Sequence, residues 1–131
     1  MIGLDTNIVV RYLTQDDPAQ SRKATQIIES RLTEDQPGFI SLVTMAETAW
    51  VLERTYHHSN REIAGAIEMM LQADSLLIQN EQEVFTAMVT LKTGQGTFAD
   101  ALIAALARWA GCSSTLTFDR KASRIDGFEL A

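Results

Sequence analysis

Ile2-Gly3-Leu4-Asp5-Thr6-Asn7 is a short apolar run that stops at a carboxylate, and the fold can be read outward from it. An apolar stretch followed by an acid, a hydroxyl and an amide reads as a strand that runs straight into a helix cap. Over residues 6–13 the positions Ile8, Val9, Tyr12 and Leu13 recur at helical spacing, with Asp5 or Thr6 as the cap. The strand-then-helix signal then repeats. Asp16-Asp17-Pro18 breaks the chain and starts a second helix to about residue 33, with Ala24, Ile27, Ile28 and Leu32 on its apolar face. Pro37-Gly38 marks a turn, and Phe39-Ile40-Ser41-Leu42 reads as a buried strand. Thr44 caps a helix from Met45 to about Tyr56, with Glu47 at capping-box spacing from it.

The second half keeps the alternation. A helix covers residues 61–72 with Asn60 as its cap, and Leu76-Leu77-Ile78 is a third strand. A helix over residues 81–92 ends at Gly94-Gln95-Gly96, and Thr97 precedes another that runs to Ala110 and stops at Gly111. Ser114-Thr115-Leu116-Thr117 is a fourth strand, a helical turn covers residues 120–124, and Phe128-Glu129-Leu130 is an edge strand. No repeat or low-complexity segment interrupts the pattern. The expectation is one domain over residues 1–131, an α/β sandwich around a mostly parallel sheet of four to five short strands.

Bulk properties narrow the function. An apolar share of 46% against 21% charged residues excludes a disordered chain. The lone Cys112 gives no intrachain disulfide and no cysteine-built zinc site, which suits a reducing cytoplasm. The chain opens without a basic stretch and apolar core of a secretory signal, and the apolar stretch over residues 99–110 is too short to span a bilayer. The expectation is a cytoplasmic protein without a membrane partner. A net charge of −6 argues against coating nucleic acid through a broad basic face. It does not exclude acting on nucleic acid at a metal centre, because two bound divalent cations cancel most of that charge.

Four acids stand in apolar or small-residue settings: Asp5, Glu47 in Val43-Thr44-Met45-Ala46-Glu47, Asp100 in Phe98-Ala99-Asp100-Ala101-Leu102, and Asp119 in Leu116-Thr117-Phe118-Asp119. Burying a carboxylate without a partner is costly, so the pattern suggests acids gathered around a positive centre. In parallel sheets ligands bind beyond the carboxyl ends of the strands. Asp5 and Asp119 follow strands at that edge, and Glu47 and Asp100 fall in first turns of helices that open there. Clustered carboxylates raise one another's pKa, and a hard divalent ion reverses this. Oxygen ligands select Mg²⁺, Mn²⁺ or Ca²⁺, and Mg²⁺ takes only one or two carboxylates directly. Asp5 and Asp100 are therefore assigned direct contact, with Glu47 and Asp119 reaching the ion directly or through water. Thr6, Asn7 and Thr117 are candidates for orienting water or a carboxylate. Each acid also has a plainer role: Asp5 as helix cap, Glu47 as capping-box acid, Asp100 as first-turn acid, Asp119 as turn residue. The two roles are compatible in one side chain.

The motifs Leu4-Asp5-Thr6-Asn7, Glu47 early in a helix, Phe98-Ala99-Asp100-Ala101-Leu102-Ile103-Ala104-Ala105 and Leu116-Thr117-Phe118-Asp119-Arg120 resemble, in order and over essentially the whole chain, those of the PIN-domain ribonucleases. Among these the chain looks like a VapC-type toxin of a type II toxin–antitoxin system. The resemblance implies a three-layer α/β/α sandwich and a Mg²⁺- or Mn²⁺-dependent endoribonuclease acting on RNA. It also implies a homodimer inhibited by a cognate antitoxin and meeting operator DNA only through it. The family's acidic site falls on Asp5, Glu47, Asp100 and Asp119, and its supporting polar positions on Thr6, Asn7 and Thr117. One departure is Gly96, four residues before Asp100, where some relatives carry an extra acid.

Other functions use the same residues: a metal-dependent phosphatase, a DNA nuclease, or a catalytically weak binding module in a DNA-regulating complex. Arg11, Arg108, Arg120, Lys121 and Arg124 are candidates for phosphate contact or for solvated ion pairs, with Arg120 and Arg124 best placed because they follow Asp119. His57-His58 reads as surface capping at a helix end. Trp50, Val51 and Tyr56 suit either a subunit face or the core. Met45, Met69, Met70 and Met88 read as core filler, and Cys112 as structural.

Overall fold

A computed structural model describes all residues, 1–131. Three parallel strands form one ladder in the order β1 (Ile2–Gly3), β2 (Gly38–Ile40), β3 (Leu76–Ile78), with Ile2 opposite Gly38 and Gly38 opposite Leu76. Two more strands, β4 (Thr115–Thr117) and β5 (Phe128–Leu130), pair in parallel as a second ladder. Six helices carry the crossovers: α1 (Thr6–Thr14), α2 (Pro18–Gln26), α3 (Leu42–Arg54), α4 (Asn60–Gln72), α5 (Glu81–Lys92) and α6 (Phe98–Trp109). The strands are short, so helix packing supplies most of the burial. Ile40, Met45, Leu52, Ile67, Met70, Met88 and Leu91 are all nearly fully buried in one core. At about 1.5–3 kcal/mol per buried large side chain, this core holds the helices to the sheet. No helix is long and apolar enough to cross a membrane.

Several boundaries differ from the sequence expectation, each for a local reason. β2 ends at Ile40, because Ser41 turns its Oγ to accept the Thr44 N–H at 3.2 Å and the helix begins at Leu42. Ser41, not Thr44, is therefore the cap of α3. The helix starts at Leu42, and Glu47 lies in its second turn, free of any capping box. The capping box belongs to α4, where Ser59 Oγ accepts from Glu62 N and Glu62 Oε1 accepts from Ser59 N; Ser59 replaces Asn60 as cap. The second helix widens to a π turn over Ile27–Arg31. Met69 is exposed rather than core. His57 takes left-handed backbone (φ 56°) just past α3, consistent with an end-capping role. Cys112 is exposed and unpaired.

Two glycines mark close approaches. A Cβ on Gly38 would meet Leu32 Cδ1 at 2.6 Å and Leu4 Cδ1 at 2.9 Å, so a larger residue there would have to push both leucine side chains aside. Gly96 is packed against Ile125, whose Cδ1 lies 2.5 Å from where its Cβ would stand. An acid at this position would have to displace Ile125.

Candidate functional site

β1 and β2 are neighbouring parallel strands, so the chain leaves both of them at one edge of the sheet. Leu4 extends the pairing by donating its N–H to Phe39 O at 2.9 Å, and Asp5 comes next. Asp5 caps α1: its Oδ1 accepts the Thr6 N–H at 2.7 Å, and its carbonyl accepts from Ile8 and Val9. Its Oδ2 makes no hydrogen bond. After β2, Ser41 launches α3, whose first amide is also tied to Gln79 Oε1 at 2.9 Å, beyond the end of β3. α1 packs against α3. Asp5 and Glu47 thus come to line one open cleft of about 380 Å³, together with Thr6, Asn7, Arg11 and Tyr56. Thr6 is buried under the cleft, whereas Asp5, Asn7 and Glu47 are exposed. Glu47 makes no hydrogen bond and stands on the outer face of α3 between exposed Val43 and Trp50.

Asp100 and Asp119 do not line this cleft. Asp100 is the third residue of α6, where its N–H donates to the cap Thr97 Oγ1 at 3.1 Å and its half-exposed carboxylate has no partner. α6 packs on α3, and a small groove of about 100 Å³ between them is lined by Ala46 and Trp50 on one side and Phe98 and Ala99 on the other. The chain neighbours of Glu47 and Asp100 therefore face each other. Asp119 follows β4 in the other ladder. Its N–H donates to Thr117 Oγ1 at 3.0 Å and its Oδ1 accepts from Lys121 N at 2.8 Å, so Thr117 shapes the turn that holds it. Arg120 and Arg124 are exposed and lie outside the cleft lining.

The expectation of carboxylates buried in apolar surroundings does not hold: none of the four acids is buried. The apolar neighbours serve the helix and strand faces, while the acids point to solvent. The donors fit a hard divalent ion, being carboxylate, hydroxyl and amide oxygens without sulfur or imidazole. No three Asp, Glu, His or Cys side chains approach closely enough to hold an ion together. Asp5 and Glu47 are the two carboxylates of this cleft that could reach an ion, directly or through water, which would leave its other positions to water or phosphate. A second cavity, about 330 Å³, lies at the opposite edge, where β3 begins at Leu76, between Tyr12, Leu32 and Met70. It is away from the carboxyl edge where open parallel sheets bind ligands.

Over residues 2–128 the chain matches the family model described as PIN domain. The chain belongs to the PIN-domain family. PIN domains are generally metal-dependent nucleases that use divalent ions, and the carboxylate cleft at the sheet edge of this PIN domain has the chemistry for it. No curated protein gives a significant match.

Sequence reasoning named Arg11 among possible phosphate contacts but missed the network that holds it in the cleft. Arg11 donates from Nη1 to Asp16 Oδ1 at 3.2 Å and to Tyr56 Oη at 3.1 Å, and from Nε to Gln20 Oε1 at 2.8 Å. Tyr56 Oη donates to Asp16 Oδ2 at 2.6 Å. The hydrogen bond that Tyr56 donates holds Asp16 below its ordinary value, and the separate one that Tyr56 accepts from Arg11 raises Arg11. The available signal was that Arg11 lies four residues after Asn7, on the same face of α1.

Proposed function

We propose that this PIN domain is the toxin of a toxin–antitoxin pair, a VapC-type endoribonuclease that hydrolyses RNA phosphodiesters with Mg²⁺ or Mn²⁺. The observation that carries the reading is the pair of solvent-open carboxylates, Asp5 and Glu47, on the wall of one cleft at the carboxyl edge of the sheet. In this proposal Asp5 and Asp100 contact the ion, Glu47 and Asp119 complete the site directly or through water, and Thr6, Asn7 and Thr117 support it. When bound, the ion would offset charge on the phosphate and make water a better nucleophile. Asp5 is held in place for this by the Thr6 N–H, leaving Oδ2 free. Glu47, free of hydrogen bonds, is the base that takes a proton from the attacking water. The new P–O bond forms opposite the one that breaks, and the proton reaches the leaving oxygen from solvent. An open cleft suits single-stranded or looped RNA, whose backbone can be splayed.

The exposed apolar side chains Val43 and Trp50, which flank Glu47, support regulation by a protein that covers the site. The protein is proposed to work in the cytoplasm as a homodimer, silenced by its cognate antitoxin and reaching operator DNA only through it.

The test is cleavage of RNA, DNA and phosphate monoesters side by side by purified protein with Mg²⁺ or Mn²⁺. RNA is expected to be cut, and Asp5→Asn and Asp100→Asn to reduce cutting to background. Asn caps a helix as well as Asp does, so Asp5→Asn leaves the fold intact. Variants as active as the parent contradict the site, and preference for DNA or monoesters turns the reading to a DNA nuclease or phosphatase. Growth arrest on expression, relieved by co-expressing the product of the adjacent gene, is expected of the toxin; unimpaired growth contradicts that role.

A further inference from the structure

We propose that Arg11 is a phosphate-binding residue of the cleft, gripping a backbone phosphate of the strand beside the bond that is cut. This rests on the nucleic-acid substrate proposed above and adds a residue to it. Arg11 is the only cationic side chain lining the cleft that holds Asp5 and Glu47. A polyanion approaching two carboxylates is repelled by both, so a fixed cation on the same wall supplies the opposing field. Arg11 is fixed: its Nε and Nη1 are occupied by Gln20, Asp16 and Tyr56, which join α1, the start of α2 and the residues just past α3. Its Nη2 makes no hydrogen bond, and its side chain is 31% exposed. Nε and Nη1 are thus anchored while the two Nη2 hydrogens stay available, so the charge is held in place with donors left for a phosphate oxygen.

An ion pair kept only for stability explains this arrangement poorly. Arg11 and Asp16 are both substantially exposed, and exposed pairs contribute little. Asp16 is also served by hydroxyls, accepting from Thr14 Oγ1 at 2.9 Å and from Tyr56 Oη. Its negative charge is therefore spread over three donors, and Arg11 keeps capacity for a second anion. Arg120 and Arg124 have no comparable anchoring hydrogen bonds from their guanidinium groups and stand outside the cleft.

The experiment measures binding of a short fluorescent single-stranded oligoribonucleotide across about 50 to 200 mM NaCl, with Ca²⁺ replacing Mg²⁺ to slow cleavage, alongside steady-state cleavage with Mg²⁺. Losing one phosphate contact should make the slope of log affinity against log salt shallower by about 0.7 in Arg11→Gln. The loss should fall on KM, raised about tenfold, rather than on kcat. Arg11→Lys restores the slope because it restores the charge. Tyr56→Phe removes the hydroxyl that orients Arg11 while keeping shape, and should raise KM about threefold with an unchanged slope; it carries the test if Arg11→Gln does not fold. Parental slope in Arg11→Gln, or parental KM in Tyr56→Phe, overturns the proposal while RNA binding and Asp5-dependent cleavage by the parent leave the ribonuclease reading standing. A parent that neither binds nor cuts RNA overturns both.

Discussion

The region built on β1 and β2 and the region built on β4 and β5 use the same device, an acid placed just after a short parallel strand or early in the helix that comes next. They arrive at different geometry. β1 and β2 pair with each other, so Asp5 and the helix carrying Glu47 leave from adjacent points and meet across α1 and α3. β4 pairs only with β5, so Asp119 leaves from a separate ladder and spends Oδ1 on the Lys121 amide. Its surroundings are also more open, with Phe118 90% and Leu116 67% exposed. Strand adjacency, more than motif identity, therefore decides which carboxylates share a cleft.

The contrast is tested most severely by setting Glu47→Gln beside Asp119→Ala. Glu47 makes no hydrogen bond, so Glu47→Gln should leave stability within about 0.5 kcal/mol while lowering cleavage on the order of 10²-fold or more. Asp119→Ala removes an acceptor that shapes its own turn, so activity and melting temperature should fall together. Paired RNA-cleavage assays and thermal melts separate the two patterns, and a stability loss in Glu47→Gln would erase the distinction. The next effect lies under the cleft. Leu52 is 1% exposed on the inner face of α3, and Leu52→Ala should cost roughly 2–5 kcal/mol in urea unfolding. A loss under about 1 kcal/mol would mean that α3 is held by something other than its core face.

Much of this architecture was legible in the sequence because the signals are local. The third strand and the helix after it appear where read, at Leu76–Ile78 and Glu81–Lys92, since apolar runs and Gly94 punctuate them. The PIN-domain assignment was likewise legible, from four acidic motifs in order, and the family match bears it out. The start of α3 was not. Phe39-Ile40-Ser41-Leu42 is mostly apolar, like a buried strand, and Ser41 and Thr44 are both competent caps, so only the observed Ser41–Thr44 hydrogen bond decides between them. The Arg11–Tyr56 contact joins residues 45 positions apart, and no local pattern encodes a partner at that distance. The pairing of Asp5 with Glu47 was readable only as far as both were placed at the carboxyl edge; strand order supplied the rest.

The smallest effect concerns acid. Tyr56 and then Thr14 hydrogen bonds hold Asp16 below its ordinary 3.8, and hydrogen bonds from Ser59 hold Glu62 below its ordinary 4.5. A carboxyl lowered in the folded state contributes stability above its unfolded value and loses it as pH falls through the lowered one. Melting temperature should therefore decline as pH drops below 4.5 for Glu62 and below 3.8 for Asp16, and Asp16→Asn and Glu62→Gln should each flatten that decline slightly. Asp16 borders the cleft through Arg11 whereas Glu62 only caps α4, so Asp16→Asn alone should also alter RNA binding.

Whether the cleft between α1 and α3 is the metal centre can be read from anomalous scattering by crystals soaked in Mn²⁺. A peak is expected in contact with the Asp5 carboxylate and within direct or water-bridged reach of Glu47, and it should disappear in Asp5→Asn. An ion held elsewhere with those two carboxylates unengaged, or an undiminished peak in Asp5→Asn, would contradict the assignment.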